Sequence, residues 1–159
     1  MKTSLFLVLC FVSVFCIAQK TEINLTIDKW HKAAENADYK TYFELMTEDA
    51  VFVGSDASEV WTAEEFKIFS KPYFDKGKAW TFTPVNRNVY IRNDTAWFDE
   101  VLNSRHMGLC RGSGVLLKDE NGQWKIQHYV LSLAIPNPLV SQFKLQKAKL
   151  DKDYLNQQD

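Results

Sequence analysis

Apolar side chains at Ile23, Ile27, Trp30 and Ala34 recur at i, i+4, i+7 and i+11, one face of an amphipathic helix. Asn36 closes that helix, and Asp38 is placed to cap a second, short one over Tyr39 to Met46. Ala50 to Val53 is a short apolar strand ending at Gly54. Thr62-Ala63-Glu64-Glu65 is a capping box that opens a third helix, with Phe66, Phe69 and Tyr73 expected to face inward. Pro72 is expected to break or restart this helix near Ser70, and Gly77 to end it. On the first helix, His31 is assigned to the exposed side.

From Trp80 onward the pattern changes to period two. Trp80 to Pro84 and Asn88 to Arg92 read as strands, or as one long bent strand interrupted near Pro84-Val85. Asn93-Asp94 turns the chain into Thr95–Asn103, Met107-Gly108 into Leu109–Lys118, and Asp119 to Gly122 into Gln123–Ile135, which Pro136 and Pro138 stop. Helices first and an antiparallel meander afterwards is the α+β pattern. Residues 138–159, with Leu139, Phe143 and Leu150 among lysines, read as a peripheral helical tail.

The first eighteen residues stand apart from this domain. Lys2 supplies a positive start, Leu5 to Phe15 is apolar except for one serine, and Ala18 is a small residue before Gln19. That is the form of a secretory signal peptide, so the chain is expected to be exported, periplasmic or secreted, after cleavage near Ala18. The run is shorter than the roughly 20 residues that span a bilayer, so no membrane attachment is expected after cleavage. The remainder is long enough for one core, with the domain proper over 19–137. Losing Lys2 leaves 18 basic and 20 acidic side chains, which provides no basic field for nucleic acid. Cys10 and Cys16 leave with the leader; Cys110 then has no partner for a disulfide and reads as a small buried hydrophobe.

Polar residues inside apolar strands mark candidate chemistry, because burying them unpaired is costly. Asp99 and Glu100 are neighbours on one strand, so only one can face the interior. Inside an apolar enclosure that carboxylate could carry protons, whereas an Arg111 pairing across the adjacent strands, with Ser113 beside it, would make it an ionised structural clasp. Ser55, Asp56, Ser58 and Glu59 crowd one loop before Trp61, where they can bind a ligand or satisfy local backbone amides. Gly112 and Gly114 mark a bulge or a close backbone approach. The three histidines are scattered and no paired Cys or His spacing occurs, so no metal is expected. The phosphate-binding glycine motifs are also missing, so no cofactor is expected.

The segments Glu44 to Trp61, Ala96 to Leu102, Arg111 to Lys118 with Asn121 to Ile126, and Leu131 to Asn137 occur in an order that resembles the NTF2-like superfamily, and within it the SnoaL-like proteins. The resemblance covers Ile23 to Asn137. It implies a cone in which N-terminal helices pack into a strongly curved antiparallel sheet. It also implies that the face of the last strand bearing His128 and Ser132 lines the cone, and that the sheet's other face meets a second subunit in a homodimer.

Under that resemblance the leading expectation is an exported domain that binds a small, partly apolar molecule in its cone. Trp30, Phe43, Phe52, Trp61, Phe66, Trp80 and Phe98 would supply the apolar wall. Candidate ligand contacts are Tyr42, Asp56, Glu59, Trp61, Phe98, Arg111, Ser113 and Ser132. A second reading is a cofactor-free isomerase, cyclase or dehydratase in which Asp99 or Glu100 works with His128 or Tyr42; for His128 the favoured alternative is a core histidine hydrogen-bonded to a backbone carbonyl or to one of the helices. A third is a non-catalytic interaction module with a filled cone. Whether the chain is an enzyme stays open at this level.

Overall fold

The computed structural model describes the backbone of residues 2–158 and the side chains of residues 18–158. The segment read as a signal peptide therefore lies, apart from Ala18, outside the described side chains. Among the described residues no helix is long and apolar enough to cross a membrane.

Helix α1 (Lys2–Glu35) buries Ile23, Ile27, Trp30 and Ala34, the stripe expected from their spacing. Burying each of the large ones contributes about 1.5–3 kcal/mol. Asp38 caps α2 (Tyr39–Glu44) by accepting a hydrogen bond from the Thr41 amide at 3.0 Å. The next residues extend into β1 (Met46–Val53), followed by a short β2 (Val60–Thr62) that the sequence pattern did not reveal. Three residues are too few to show a period.

Thr62 and Glu65 form the expected capping box at the start of α3 (Ala63–Asp75). Pro72 does not break this helix. The carbonyl it leaves without a donor belongs to Ile68, which is exposed, and Phe74 beyond it is buried and holds the last turn in place. The buried face is Ala63, Phe66, Ser70 and Phe74; Phe69 and Tyr73 stay partly exposed at its edge. Gly77 ends the helix with φ of 83°.

Four strands complete the sheet: β3 (Phe82–Arg92), β4 (Thr95–Ser104), β5 (Gly108–Lys118) and β6 (Trp124–Leu133). Their order is β2-β1-β6-β5-β4-β3 in one curved, unclosed sheet. Every ladder is antiparallel except β1 with β6, which is parallel. β3 is a single strand with an irregularity between Pro84 and Asn86, where the bend was expected. The helices α1, α2 and α3 fill the concave side. A 3-10 turn at Asn137–Leu139 then leads to α4 (Val140–Leu155), which buries none of its side chains.

Candidate functional site

On β4, Ala96, Phe98, Glu100 and Leu102 share the concave face, and all are buried. Glu100 is therefore the carboxylate that enters the interior, while Asp99 lies on the convex face and accepts a hydrogen bond from Asn88 Nδ2 at 3.0 Å. Glu100 has no exposed surface and both its oxygens are used. Oε1 accepts from His31 Nε2 at 2.8 Å and from the Tyr129 hydroxyl at 3.3 Å. Oε2 accepts from Arg87 Nε at 2.9 Å, with Arg87 Nη2 at 2.8 Å from the same oxygen. The other end of that guanidinium returns to α1: Arg87 Nη1 donates to Asn24 Oδ1 at 3.2 Å and to Asp28 Oδ1 at 2.9 Å.

Burial alone would raise the Glu100 carboxyl, but the His31 bond and the Arg87 guanidinium outweigh it and hold the group below its ordinary range. The Tyr129 hydroxyl is pushed well up, first by burial and then by the Glu100 charge, so it remains a donor. Gly112 makes the arrangement possible, since a Cβ there would sit 2.8 Å from Glu100 Oε1 and collide with the Tyr129 hydroxyl. Gly114 is a second close approach: a Cβ would lie 2.5 Å from the His128 carbonyl and 2.8 Å from the Phe98 ring.

Two assignments made from sequence are corrected here. His31 is not on an exposed face of α1 but is buried against β4. It belongs to a polar row, Asn24, Asp28 and His31, that flanks the apolar stripe at the same i, i+4, i+7 spacing and meets Arg87 and Glu100. The arginine of the clasp is Arg87 on β3, not Arg111, which is exposed on the convex face opposite Val101.

The last strand also reverses its expected faces. Val115 pairs with His128 but Leu116 pairs with Ile126, so Gln127 is an extra residue. The bulge leaves Trp124 and Ile126 inward and then brings Tyr129 and Leu131 inward. His128 and Ser132 are consequently on the convex face. There His128 sits mid-row in a ladder running Tyr90, Trp97, Val115, His128 and Val51 across five strands. Ser113 occupies the neighbouring row, beside Asp99 and Val130.

The concave side holds two adjoining cavities. The first, of about 170 Å³, has aromatic walls from Phe52, Trp61, Phe66, Phe69, Trp80 and Phe82, with Met107 and Leu131 completing them. Phe52 stacks on Phe66 with centroids 4.0 Å apart, and Trp61 on Phe69 at 4.4 Å. Its polar lip is Gly54, Ser55 and Glu59. The second is a groove of about 360 Å³ between α1 and the start of β3, lined by Asp28, His31, Lys32, Glu35 and Thr81 to Pro84. Phe82 forms part of both walls.

Of the ligand contacts expected from sequence, Glu59 and Trp61 line the aromatic cavity. Asp56 does not: its carboxylate accepts from the Ser58 amide and hydroxyl, which hold it below the ordinary range and close the loop on itself. Glu59 folds back over Gly54 and accepts from the Asp56 amide at 3.1 Å. Phe98 is buried beneath Gly114. Tyr42 lies deep in the core, stacked on Trp30 at 4.8 Å, and burial raises its hydroxyl well above the ordinary range. The residues that sequence reasoning missed are His31, Arg87, Thr81, Phe82 and Met107. Only His31 had a readable signal, the polar row beside the apolar stripe.

The model of the SnoaL-like domain matches residues 23–136. No curated protein matches the chain. Among solved structures, an NTF2-like protein of unknown function from Pseudomonas putida KT2440 is similar with a TM-score of 0.65 at 16% identity, covering 76% of this chain and 90% of that one. An NTF2-like protein from Cytophaga hutchinsonii has a TM-score of 0.61 at 19% identity, covering 73% and 98%. The association domain of C. elegans CaMKII has a TM-score of 0.59 at 26% identity, covering 72% and 95%.

Proposed function

We propose a function on the premise that the chain belongs to the SnoaL-like domain family of the NTF2-like superfamily: it binds a small, ring-bearing apolar molecule in the aromatic cavity of its cone. The observation that carries this reading is the cavity itself. Six aromatic side chains surround about 170 Å³, and polar groups occur only at the lip. Apolar cavities of about 150 Å³ stay dry and accept a single benzene-sized ring. Stacking and edge contacts with the walls would add about 0.5–1.5 kcal/mol per ring pair to simple burial.

The test is a titration with propylbenzene followed by tryptophan fluorescence, since Trp61 and Trp80 are both in the wall. Saturable quenching that disappears in Trp61→Ala supports the reading; the absence of saturable binding refutes it.

Catalysis by the carboxylates and histidine named from sequence gains little support. Asp99 and His128 lie on the convex face, and Glu100 is held ionised by an arginine, which suits a clasp rather than a proton carrier.

The convex face supports self-association. The ladder through Tyr90 and Trp97, whose rings stack at 5.7 Å, continues into Val115, His128 and Val51, and Val130 and Val53 lie alongside. Both aromatic rings are close to half exposed. A second copy packed sheet to sheet would cover them, and the similarity to an association domain agrees with that reading. Export rests on the leader sequence, and N-terminal sequencing of protein recovered from its host would show whether the chain begins at Gln19.

A further inference from the structure

The aromatic cavity, at about 170 Å³, has room for little more than one ring. Whatever a ring seated there carries must leave past the lip. The chemistry of Gly54, Ser55 and Glu59 therefore selects the substituent.

That lip is built around one carboxylate. Glu59 immediately precedes β2, and residues two apart on an extended segment share a face, so it joins Trp61 in the cavity wall. Its carbonyl accepts from the Gly54 amide at 2.8 Å, which extends the β1–β2 ladder by one pair. Its side chain lies across Gly54. A Cβ at Gly54 would collide with Glu59 Oε2 and sit 2.8 Å from the Glu59 Cβ, so only glycine leaves the carboxylate in place. Oε2 accepts from the Asp56 amide at 3.1 Å. Among the described residues nothing donates to Oε1, and Glu59 enters no ion pair.

No lysine, arginine or histidine lines this cavity. Lys147 of α4 reaches the loop, but its charge acts on Asp56, after the Ser58 bonds, and it is itself paired with Asp151 at 3.0 Å. The adjoining groove has no such surplus: Lys32 pairs with Glu35 at 2.8 Å and Asp28 with Arg87 at 2.9 Å. A substituent meeting the lip is thus favoured if it donates hydrogen bonds and carries positive charge. An ammonium does both, and a charge-assisted bond is stronger than a neutral one. Trp61 and Trp80, both partly exposed in the wall, add the attraction of indole faces for a cation.

We propose that the cavity takes ring compounds bearing a cationic amine, with the ring between the aromatic walls and the ammonium on Glu59 Oε1. This rests on the binding function above and gives it a ligand class, the aralkylamines. Glu59 is the specificity-determining residue, and Gly54 is the residue that lets it reach the lip.

The experiment titrates the purified protein at neutral pH and low salt with three ligands that share one ring: propylbenzene, 3-phenylpropan-1-amine and 3-phenylpropanoate. Tryptophan fluorescence reads the binding. The cationic amine should bind at least about tenfold more tightly than the anionic carboxylate, and added salt should shrink that ratio. Glu59→Gln keeps an acceptor for the Asp56 amide and should bring the two to within about threefold of each other. If propylbenzene binds but the amine and the carboxylate bind equally, the cationic ligand class is overturned while the aromatic binding reading stands. The same holds if the preference survives Glu59→Gln, since it then comes from the net charge of the whole protein. If none of the three binds, both readings fall.

Discussion

Arg87 should be the least replaceable polar residue in this protein. Substituting Arg87→Met removes the only guanidinium facing Glu100, together with two contacts at 2.8 and 2.9 Å, and leaves a carboxylate with no exposed surface held only by His31 and Tyr129. Breaking a buried pair from one side costs about 3–5 kcal/mol, since the remaining charge keeps its desolvation penalty. With a urea m-value of about 2 kcal/mol/M, the unfolding midpoint should fall by roughly 2 M. The double variant Arg87→Met/Glu100→Leu removes the stranded charge and should recover at least half of the loss. The pH dependence provides an independent check. Glu100's folded value lies below its ordinary 4.5, so its stabilisation is fully present above that pH and is lost as pH falls through the folded value. Glu100→Gln should therefore flatten the acid limb of stability against pH. Urea melts of the four proteins, repeated from neutral pH down to the acid transition, measure all of this. A single-variant loss below about 1 kcal/mol, or a double variant no better than Arg87→Met, would refute the account of the cluster.

Three further outcomes follow from packing. Gly112→Ala should cost about 1–3 kcal/mol, because its Cβ would press on Glu100 Oε1 and the Tyr129 hydroxyl; a thermal melt unchanged from the parent would show slack in the clamp. Pro72→Ala should stabilise the protein by about 1–3 kcal/mol, by restoring a donor to the Ile68 carbonyl within α3; a lower denaturation midpoint would contradict this. Trp97→Glu should leave the fold intact and shift light-scattering mass toward the monomer; an unchanged mass would remove the sheet's convex face from any assembly.

The architecture was legible because most elements carry a local signal of their own. The Ile23, Ile27, Trp30, Ala34 stripe, the Thr62–Glu65 capping box and the Asn121-Gly122 turn each have a local cause, and each formed where that cause lies. The site was less legible because its causes are not local. Whether Asp99 or Glu100 points inward depends on strand phase, which Ala96, Phe98 and Leu102 do indicate. Where β6 points depends on a single extra residue, Gln127, which no residue type announces and which exchanges every side chain after it between faces. Arg87 lies just past the Pro84–Asn86 irregularity, so its phase could not be counted from the strand start, and the clasp was assigned to Arg111 instead. His31 is a helical residue one position from Trp30. Only a partner 69 residues away makes that flank an interior surface.

The cluster also raises the question of why it is charged. Hydrophobic residues of similar volume at Arg87, Glu100 and His31 would fill the same space with no desolvation to offset, and such replacements are commonly neutral or stabilising. Stability therefore does not explain five polar groups, Asp28, Arg87, Glu100, His31 and Tyr129, joined across α1, β3, β4 and β6. Their joint effect is to fix the orientation of one imidazole, and that imidazole is the member with an unused nitrogen in a groove wall. A fixed imidazole in a groove wall has value for recognising a ligand and little for holding the core together. His31→Leu combined with Arg87→Met and Glu100→Leu should therefore give a protein that folds, melts no lower than Arg87→Met alone and still binds propylbenzene in the aromatic cavity. If that variant melts below Arg87→Met alone, the cluster is structural after all.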